Sequence, residues 1–556
     1  KQLAITPLQN IIENNEAIIN KEMQFGKITL NGNKDLQTLI DLNKRFAFSV
    51  QDEKGLMRSS LQYIYFLLWI RDNGMNVNHL AASGWLNPTE RSLEALLKNP
   101  SVSLEDPKGI YYGQLWNKGP INKFEEDGLF YVILSAFVHW TQSGNDQYIK
   151  GDYLNTMEKC MEWLEKYCYD PQKGLFGRYY YCENPFIGSR DFGWDNAKGN
   201  PVDNIASLLN EDTIVRSYDL YMNMLYYNSY LMLSTFENGE KSNEYTSKAN
   251  ILARNMKKFF KGNQIPLYGD LLTSDKRTVS PQGYALDRTD YIWGTSLNWL
   301  TPHFEKEVIQ ARIAVNKEVW SDPSGHFFAS TFALLRSLDS EFYPEDSILQ
   351  GINYVIPQCV KPGKTLPLPN TICEIIDAAD GHPYHDIRPI VFSIAPYISS
   401  IANLGVRRLP FGLSVRANKT IKSINNYQYL GKLTDFIFEG KGTVSTIEVN
   451  GRVLKNSFTI PENWLTLPKN TVRVSMSNDK QPINILIGGS VKLLDIKENK
   501  FIINGYGTNS MIFKGELKTL NISNNKSNNA IQFKSETYNN YTFITFEGKG
   551  EFTVSL

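Results

Sequence analysis

Three short stretches set acids and arginines among aromatics and glycines. "FLLWIRDNGM" (66–75) carries Trp69, Arg71 and Asp72. "GSRDFGWDNAKGNP" (188–201) carries Arg190, Asp191, Trp194 and Asp195. "NTICEIIDAADGHPYHDIRP" (370–389) carries Glu374, Asp377, Asp380, His382, His385, Asp386 and Arg388. Carboxyls of this kind, in loops dense with aromatics, suit cleavage of a glycosidic bond. One carboxyl protonates the leaving oxygen, and the other activates water or attacks the anomeric carbon. The acid has to be kept protonated near neutral pH by burial or by a neighbouring charge. Tyr and Trp offer a sugar ring a flat apolar face and a polar edge. Aromatic residues make up 12% of the chain, with 30 Tyr and 10 Trp.

Taken singly, each residue has a plainer explanation. Asp72 can pair with Arg71 or with a helix end, Asp195 can close an Asx-turn in a turn-rich loop, and Glu374 can be a surface carboxylate. The third stretch groups two His with four acids, but it has no His-x-x-x-His helical pair, so no metal and no cofactor are expected.

Bulk properties narrow the choice of partner. The 556 residues exceed one ordinary core, which points to two domains. Lys+Arg and Asp+Glu both number 58. A formal net charge of zero argues against nucleic acid or an anionic membrane as the main partner and suits a neutral ligand. The five cysteines (Cys160, Cys168, Cys182, Cys359 and Cys373) match no zinc spacing and require no disulfide framework. No apolar run reaches the roughly 18 residues that span a bilayer, so no membrane insertion is expected. The chain starts at Lys1 without Met, which leads us to expect a removed leader and a secreted or periplasmic protein.

The elements that must carry these loops are helical up to about residue 404. Apolar residues recur at helical spacing over 128–146, 153–168, 213–236, 244–260, 326–338, 347–357 and 386–404. The first of these ends in a Gly-Asn turn, and the last opens on Asp and Pro, both suited to a first turn. The pairs read as helical hairpins with no fixed-period repeat. Beyond residue 405, "SINNYQYL", "DFIFEGKGTVSTIEVNG", "TVRVSMS", "INILIGG" and "FIINGYG" alternate with period two, as β-strands do. "FEGKG" occurs at 438–442 and at 546–550, and both copies are expected as hairpin turns.

In order along the chain, these motifs resemble the glucoamylase family and its six-hairpin relatives, the trehalases and debranching amylo-glucosidases. Trp69, Ile70, Arg71 and Asp72, after "DEKGLMRSS" (52–60), match an early aromatic-x-Arg-Asp motif. The resemblance assigns its Arg and Asp to the −1 sugar subsite. "EEDGLFYVILSAFVHWTQSGND" (125–146) is similar to the next segment and places Asp127 in the pocket. "FGWDNAKG" (192–199) resembles the general-acid loop, with Asp195 as acid beside Trp194; Glu183 and Glu211 are reserve acids. "LYMNMLYYNSYL" (220–231) is similar to the following helix, with Asn223. "CEIIDAADGHPYHDIRPIVFSIAPYI" (373–398) resembles the base segment, with Glu374 as base and His385 and Arg388 contacting substrate. The chain departs from the pattern where Phe392-Ser393-Ile394-Ala395 replaces a Trp-Ser helix, and where an Asp replaces the glucoamylase Glu.

The helical hairpins and the resemblance imply a mainly α (α/α)6 catalytic toroid over residues 1–404; the period-two strands imply a C-terminal all-β sandwich over 405–556, a domain that bacterial glucoamylase-like enzymes often carry in front. The resemblance implies an exo-acting, inverting glycoside hydrolase acting on terminal, α-linked gluco-type sugars. The competing readings are a catalytically silent carbohydrate-binding protein on the same fold and a lyase or epimerase on an α-toroid. The His382–His385 cluster favours the last of these.

Overall fold

The computed structural model describes residues 8–53, 55–60, 70–98, 101–102, 110–111, 126–177, 194–195, 200–201, 217–218, 220–259, 271–273, 278–279, 300–310, 326–328, 345–362, 368–373, 375–377, 388–478 and 484–556. Helices dominate the first part. They are α1 (Leu8–Glu22), α2 (Lys34–Ser49), α3 (Ile70–Ala82), α4 (Asn87–Lys98), α5 (Glu126–Ser143), α6 (Gly151–Cys168), α7 (Leu220–Phe236), α8 (Gly239–Phe259), α9 (Glu345–Tyr354), α10 (Ile356–Cys359) and α11 (Val391–Ala402).

Two kinds of helix alternate. α5 and α7 are apolar nearly all round and bury almost every described side chain, as a helix enclosed by neighbours does. α8 keeps a charged face and ends in Lys257 and Lys258, where cations meet the negative end of the helix dipole. α7 packs on α8, α5 on α7, α3 on α5, and α11 returns to pack on α3 and α2. This return closes the row of helices into a toroid. Asn33 caps α2 by accepting from the Leu36 N–H at 3.0 Å. α5 stops at Ser143 because Gly144 takes φ 78, a conformation that favours glycine.

The toroid is followed by a β-sandwich. One sheet is built from β1 (Lys27–Leu30), β2 (Ile421–Tyr429), β3 (Lys432–Gly440), β4 (Thr443–Val449), β5 (Arg452–Leu454) and β6 (Lys469–Ser477), in the order β1-β2-β3-β6-β4-β5. β1 comes from the N-terminal part and pairs antiparallel with β2. The other sheet contains β7 (Ile485–Gly489), β8 (Lys492–Lys497), β9 (Lys500–Lys514), β10 (Asn521–Asn524), β11 (Phe533–Tyr538) and β12 (Tyr541–Ser555), with β9 and β12 paired along their full length. Alternation sorts their side chains. Ile512 and Phe543 join a core shared with the first sheet, α2 and α11, whereas Met511, Phe513 and Ile544 form a second core.

Several expectations are corrected. Residues His326–Phe328, expected in a helix, form a strand antiparallel to Ile375–Asp377; aromatic and β-branched runs pair readily. Ser217–Tyr218, also expected to be helical, pair with Leu272–Thr273, so the helix starts only at Leu220. The last toroid helix starts at Val391 rather than at 386. Ile390 is held extended by a bridge to Ser60, after a cis Arg388–Pro389 bond.

Neither "FEGKG" is a hairpin turn. The first joins β3 to β4, but β6 lies between them, parallel to β3 and antiparallel to β4. The second lies inside β12, opposite β9. There Lys549 Nζ donates to the Ser234 carbonyl at 2.7 Å and to Ser242 Oγ. The lysine thus latches the second sheet onto the turn between α7 and α8.

Two further joints hold toroid and sandwich together. The Trp140 ring on α5 meets the Phe411 and Tyr506 rings edge-on, with centroids 6.3 and 6.0 Å away. Arg408 is fully buried on the hairpin Val406–Leu409/Gly412–Val415. Its guanidinium donates to Gln142 Oε1 on α5 at 2.8 Å, to Thr141 Oγ1, and to the Gly412 carbonyl at 3.0 Å. Neutral acceptors meet its donors, as burial of a charge requires.

Candidate active site

The first turn of α3 holds Arg71 and Asp72. Arg71 is buried at 4% exposure, and Asp72 is half-buried. Their direction depends on how α3 is rotated, and Gly74 fixes that rotation. A Cβ on Gly74 would lie 2.4 Å from the Tyr131 Cβ on α5, so only glycine permits this approach. One turn later His79 is fully buried and joins α3 to α11 through Nδ1 and Ser399 Oγ, 3.1 Å apart. Burial lowers its pKa to about 3, so the imidazole stays neutral.

Asp72 is tied to a neighbouring segment. Ser59 Oγ donates to Asp72 Oδ2, and the Ser59 carbonyl accepts from the Val391 N–H at 2.8 Å. Ser60 pairs with Ile390, and its Oγ donates to the Pro389 carbonyl at 2.7 Å. The Ile390 N–H donates to the Ile372 carbonyl at 3.1 Å. Asn73 grips the same segment, with its amide accepting from the Met57 N–H at 2.7 Å and donating to the Met57 carbonyl at 3.0 Å.

These bonds gather the backbone near Asp72, Arg388 and the approach to Glu374. Arg388 is buried at 4% exposure. Its charge is felt at Cys373, the residue before Glu374. A hydrogen bond with the Cys359 side chain, together with burial, holds the Cys373 thiol well above the usual range against the pull of Arg388.

The structure therefore brings together the segments bearing Arg71, Asp72 and Arg388. Trp69, Glu374 and His385 lie outside the described residues, as do Glu183, Arg190, Asp191, Glu211, Asp380, His382 and Asp386. The backbone of Asp127 lies in the first turn of α5. The backbones of Trp194 and Asp195 form a two-residue strand paired with Asn200–Pro201. Side chains at 127, 194 and 195 lie outside the description. Asn223, on the helix similar to the family's following segment, grips the strand Leu175–Phe176. Its amide accepts from the Phe176 N–H and donates to the Phe176 carbonyl, each at 2.9 Å.

Sequence reading missed Ser59 and Asn73 as partners in this region. Their one local signal is placement: Ser59 is the last but one residue of the "GLMRSS" run, and Asn73 is a weak helix former inside a helix. Among the described residues no cluster of His, Cys, Asp and Glu could hold a metal ion. Among them, too, no helix is long and apolar enough to cross a membrane.

No family model matches the chain, and no curated relative matches it. Solved structures with a similar course of chain include a wild-type glycosidase (TM-score 0.44, 11% identity, 68% of this chain and 99% of that chain). A GH78 family rhamnosidase of Bacillus sp. GL1 is similar at TM-score 0.49 and 11% identity over 74% of this chain and 42% of that chain. Cellobiose 2-epimerase from Bacillus thermoamylovorans is similar at TM-score 0.43 and 11% identity over 70% of this chain and 99% of that chain.

Proposed function

We propose that the chain is an exo-acting glycoside hydrolase that inverts the anomeric centre. It removes terminal, α-linked gluco-type sugars from oligosaccharides, in a secreted or periplasmic setting. Asp195 is the general acid, and Glu374 is the base that activates water. Arg71, Asp72 and Arg388 hold the terminal sugar by charge-assisted hydrogen bonds, which fix its orientation. Trp69, Asp127, Trp194 and His385 complete the pocket. The residues 405–556 form a separate domain that packs against residues 1–404.

The observation that carries this reading is the bonded path from Asp72 through Ser59 to Val391. It joins the segment matched to a sugar-binding motif with the segment carrying Arg388, more than 300 residues away in sequence. Inversion then needs Asp195 and Glu374 about 6.5–9.5 Å apart, with room for one water.

Proton NMR of a panel of α-linked gluco-oligosaccharides tests the proposal with wild type, Asp195→Asn and Glu374→Gln. The expected result is release of the β-anomer by wild type alone, with each variant slower by about 10²-fold or more. Release of the α-anomer refutes inversion. An uncleaved but epimerised product, or an unsaturated one, moves the protein to the epimerase or lyase class. Binding without turnover makes it a lectin-like protein.

A further inference from the structure

The segment that leads into Glu374 and the segment bearing Arg388 are held by one side chain that the sequence motifs do not include. Asn43 lies on α2 and is fully buried. Its amide Nδ2 donates to the Leu39 carbonyl at 2.7 Å and to the Asn370 carbonyl at 2.8 Å. Its Oδ1 accepts from the Ile372 N–H at 3.0 Å. Both amide hydrogens are used, and the bonds to Asn370 and Ile372 bracket Thr371. Asn370 itself takes φ 58, so the chain turns sharply inside the clamp. The Ile372 carbonyl then accepts from the Ile390 N–H, two residues after Arg388. From there the chain of bonds runs on to Ser59 and Asp72.

We propose that Asn43 is a positioning residue for the reaction. It sets the backbone at Ile372, from which Glu374 follows two residues later, and through Ile372 and Ile390 it sets Arg388. The proposal rests on the hydrolase reading for its catalytic consequence, though not for the clamp itself. The chemistry explains why an amide is needed. A group that must accept from one backbone N–H and donate to one backbone carbonyl of the same loop needs both functions on one side chain, which Asn supplies. A mid-helix Asn is otherwise a poor choice. Displacing a reacting group by about 1 Å can cost on the order of 10²-fold in rate.

Two variants and two readouts test this. Asn43→Ala deletes the amide. Asn43→Ser keeps a hydroxyl that can return to the Leu39 carbonyl one turn back, so it leaves α2 satisfied while losing the reach to Asn370 and Ile372. Hydrogen–deuterium exchange needs no substrate. Peptides covering 370–373 and 388–391 are expected to exchange about tenfold faster or more in both variants, with sandwich peptides unchanged. Wild-type protection in those peptides overturns the proposal.

The second readout is turnover of p-nitrophenyl α-glucoside, with and without azide. In the variants kcat is expected to fall about 10²-fold, with a smaller, severalfold rise in KM from the displaced Arg388. Azide is expected to restore the variants' rate. It attacks the anomeric carbon as the bond to p-nitrophenolate breaks, giving the β-glucosyl azide, because the lost function is delivery of the nucleophile. Wild-type kcat in the variants, or a loss that azide does not restore, overturns the positioning role. If wild type itself does not turn over the glucoside, the hydrolase reading fails, and the exchange result still decides the clamp.

Discussion

Replacing Lys44 with Met should change how the stability of the protein depends on pH. Lys44 lies on α2 beside Asn43 and is 4% exposed. Its ammonium donates to the Phe25 and Gly26 carbonyls and sits 4.8 Å from the centre of the Trp85 ring. Burial outweighs the favourable charges of Asp41 and Glu22 and, with the opposing charge of Lys27, lowers its pKa from 10.5 to about 7. Folded Lys44 therefore loses its proton near neutrality, while the unfolded chain keeps it to about pH 10.4. Between these values the unfolded state binds more protons, so stability rises with pH across this window and is flat below it. At about 1.36 kcal/mol per pKa unit, wild type gains about 2 kcal/mol between pH 7 and pH 9 from this group. Met carries no such slope. Urea unfolding of both proteins from pH 6 to pH 9 measures the difference. Lys44→Met is expected to lead by most at about pH 6, and its lead should shrink by about 2 kcal/mol by about pH 9. A lead that stays constant over this range would refute the reasoning. It would mean that the two carbonyls and the acids beside them hold the charge despite burial.

Other expectations follow from the same contacts. Gly74→Ala should destabilise by about 1–3 kcal/mol, since the new methyl meets the Tyr131 Cβ at 2.4 Å; thermal melting reads this directly. Asn223→Ala withdraws the amide that both Phe176 backbone groups use and should cost about 2 kcal/mol or more in denaturant unfolding. Lys549→Met unlatches β12 from the α7–α8 turn. Faster amide exchange is expected at 234–246, with the first sheet unchanged. Ser59→Ala removes the donor to Asp72; on the proposed reading, in which Asp72 binds the sugar, KM should rise severalfold with a smaller effect on kcat.

The helices of the toroid were legible wherever their own periodicity decided the outcome. "GLFYVILSAFVHWTQSGND" and "YLNTMEKCMEWLEKYC" give α5 and α6 with ends shifted by a few residues. The reading went wrong where pairing with a distant segment decided. "HFFAS" has helical spacing, yet His326–Phe328 find Ile375–Asp377. Ile390 would suit a helix, yet its bridge to Ser60 keeps it extended. The two "FEGKG" copies show the same limit. Gly-Lys-Gly is good turn chemistry, but β6 inserts beside one copy and β9 covers the other. The short-range code states what a segment can do, and the partner selects among the options.

The candidate site divides along the same line. Arg71 and Asp72 could be singled out because charges beside an apolar run are expensive to bury and so invite a reason. Ser59, Asn73 and Asn43 could not. Ser59 acts through its hydroxyl on the Asp72 carboxylate, and Asn73 and Asn43 act through their amides on backbone, in the case of Asn43 on a residue 329 positions away. A buried amide pays for its desolvation only when every donor and acceptor is met. Asn43 and Asn73 meet that condition with both amide functions on one backbone segment. In these two cases an Asn on the buried face of a helix marks a clamped segment. In this chain the clamped segments are the ones that lead into Arg388, Glu374 and the start of α3, so on the proposed reading the residues that order the pocket differ in kind from those that would touch a sugar. Substitution of the first kind should lower the population of the competent geometry, and substitution of the second should remove a contact within it. That is why exchange rates, rather than activity alone, separate them.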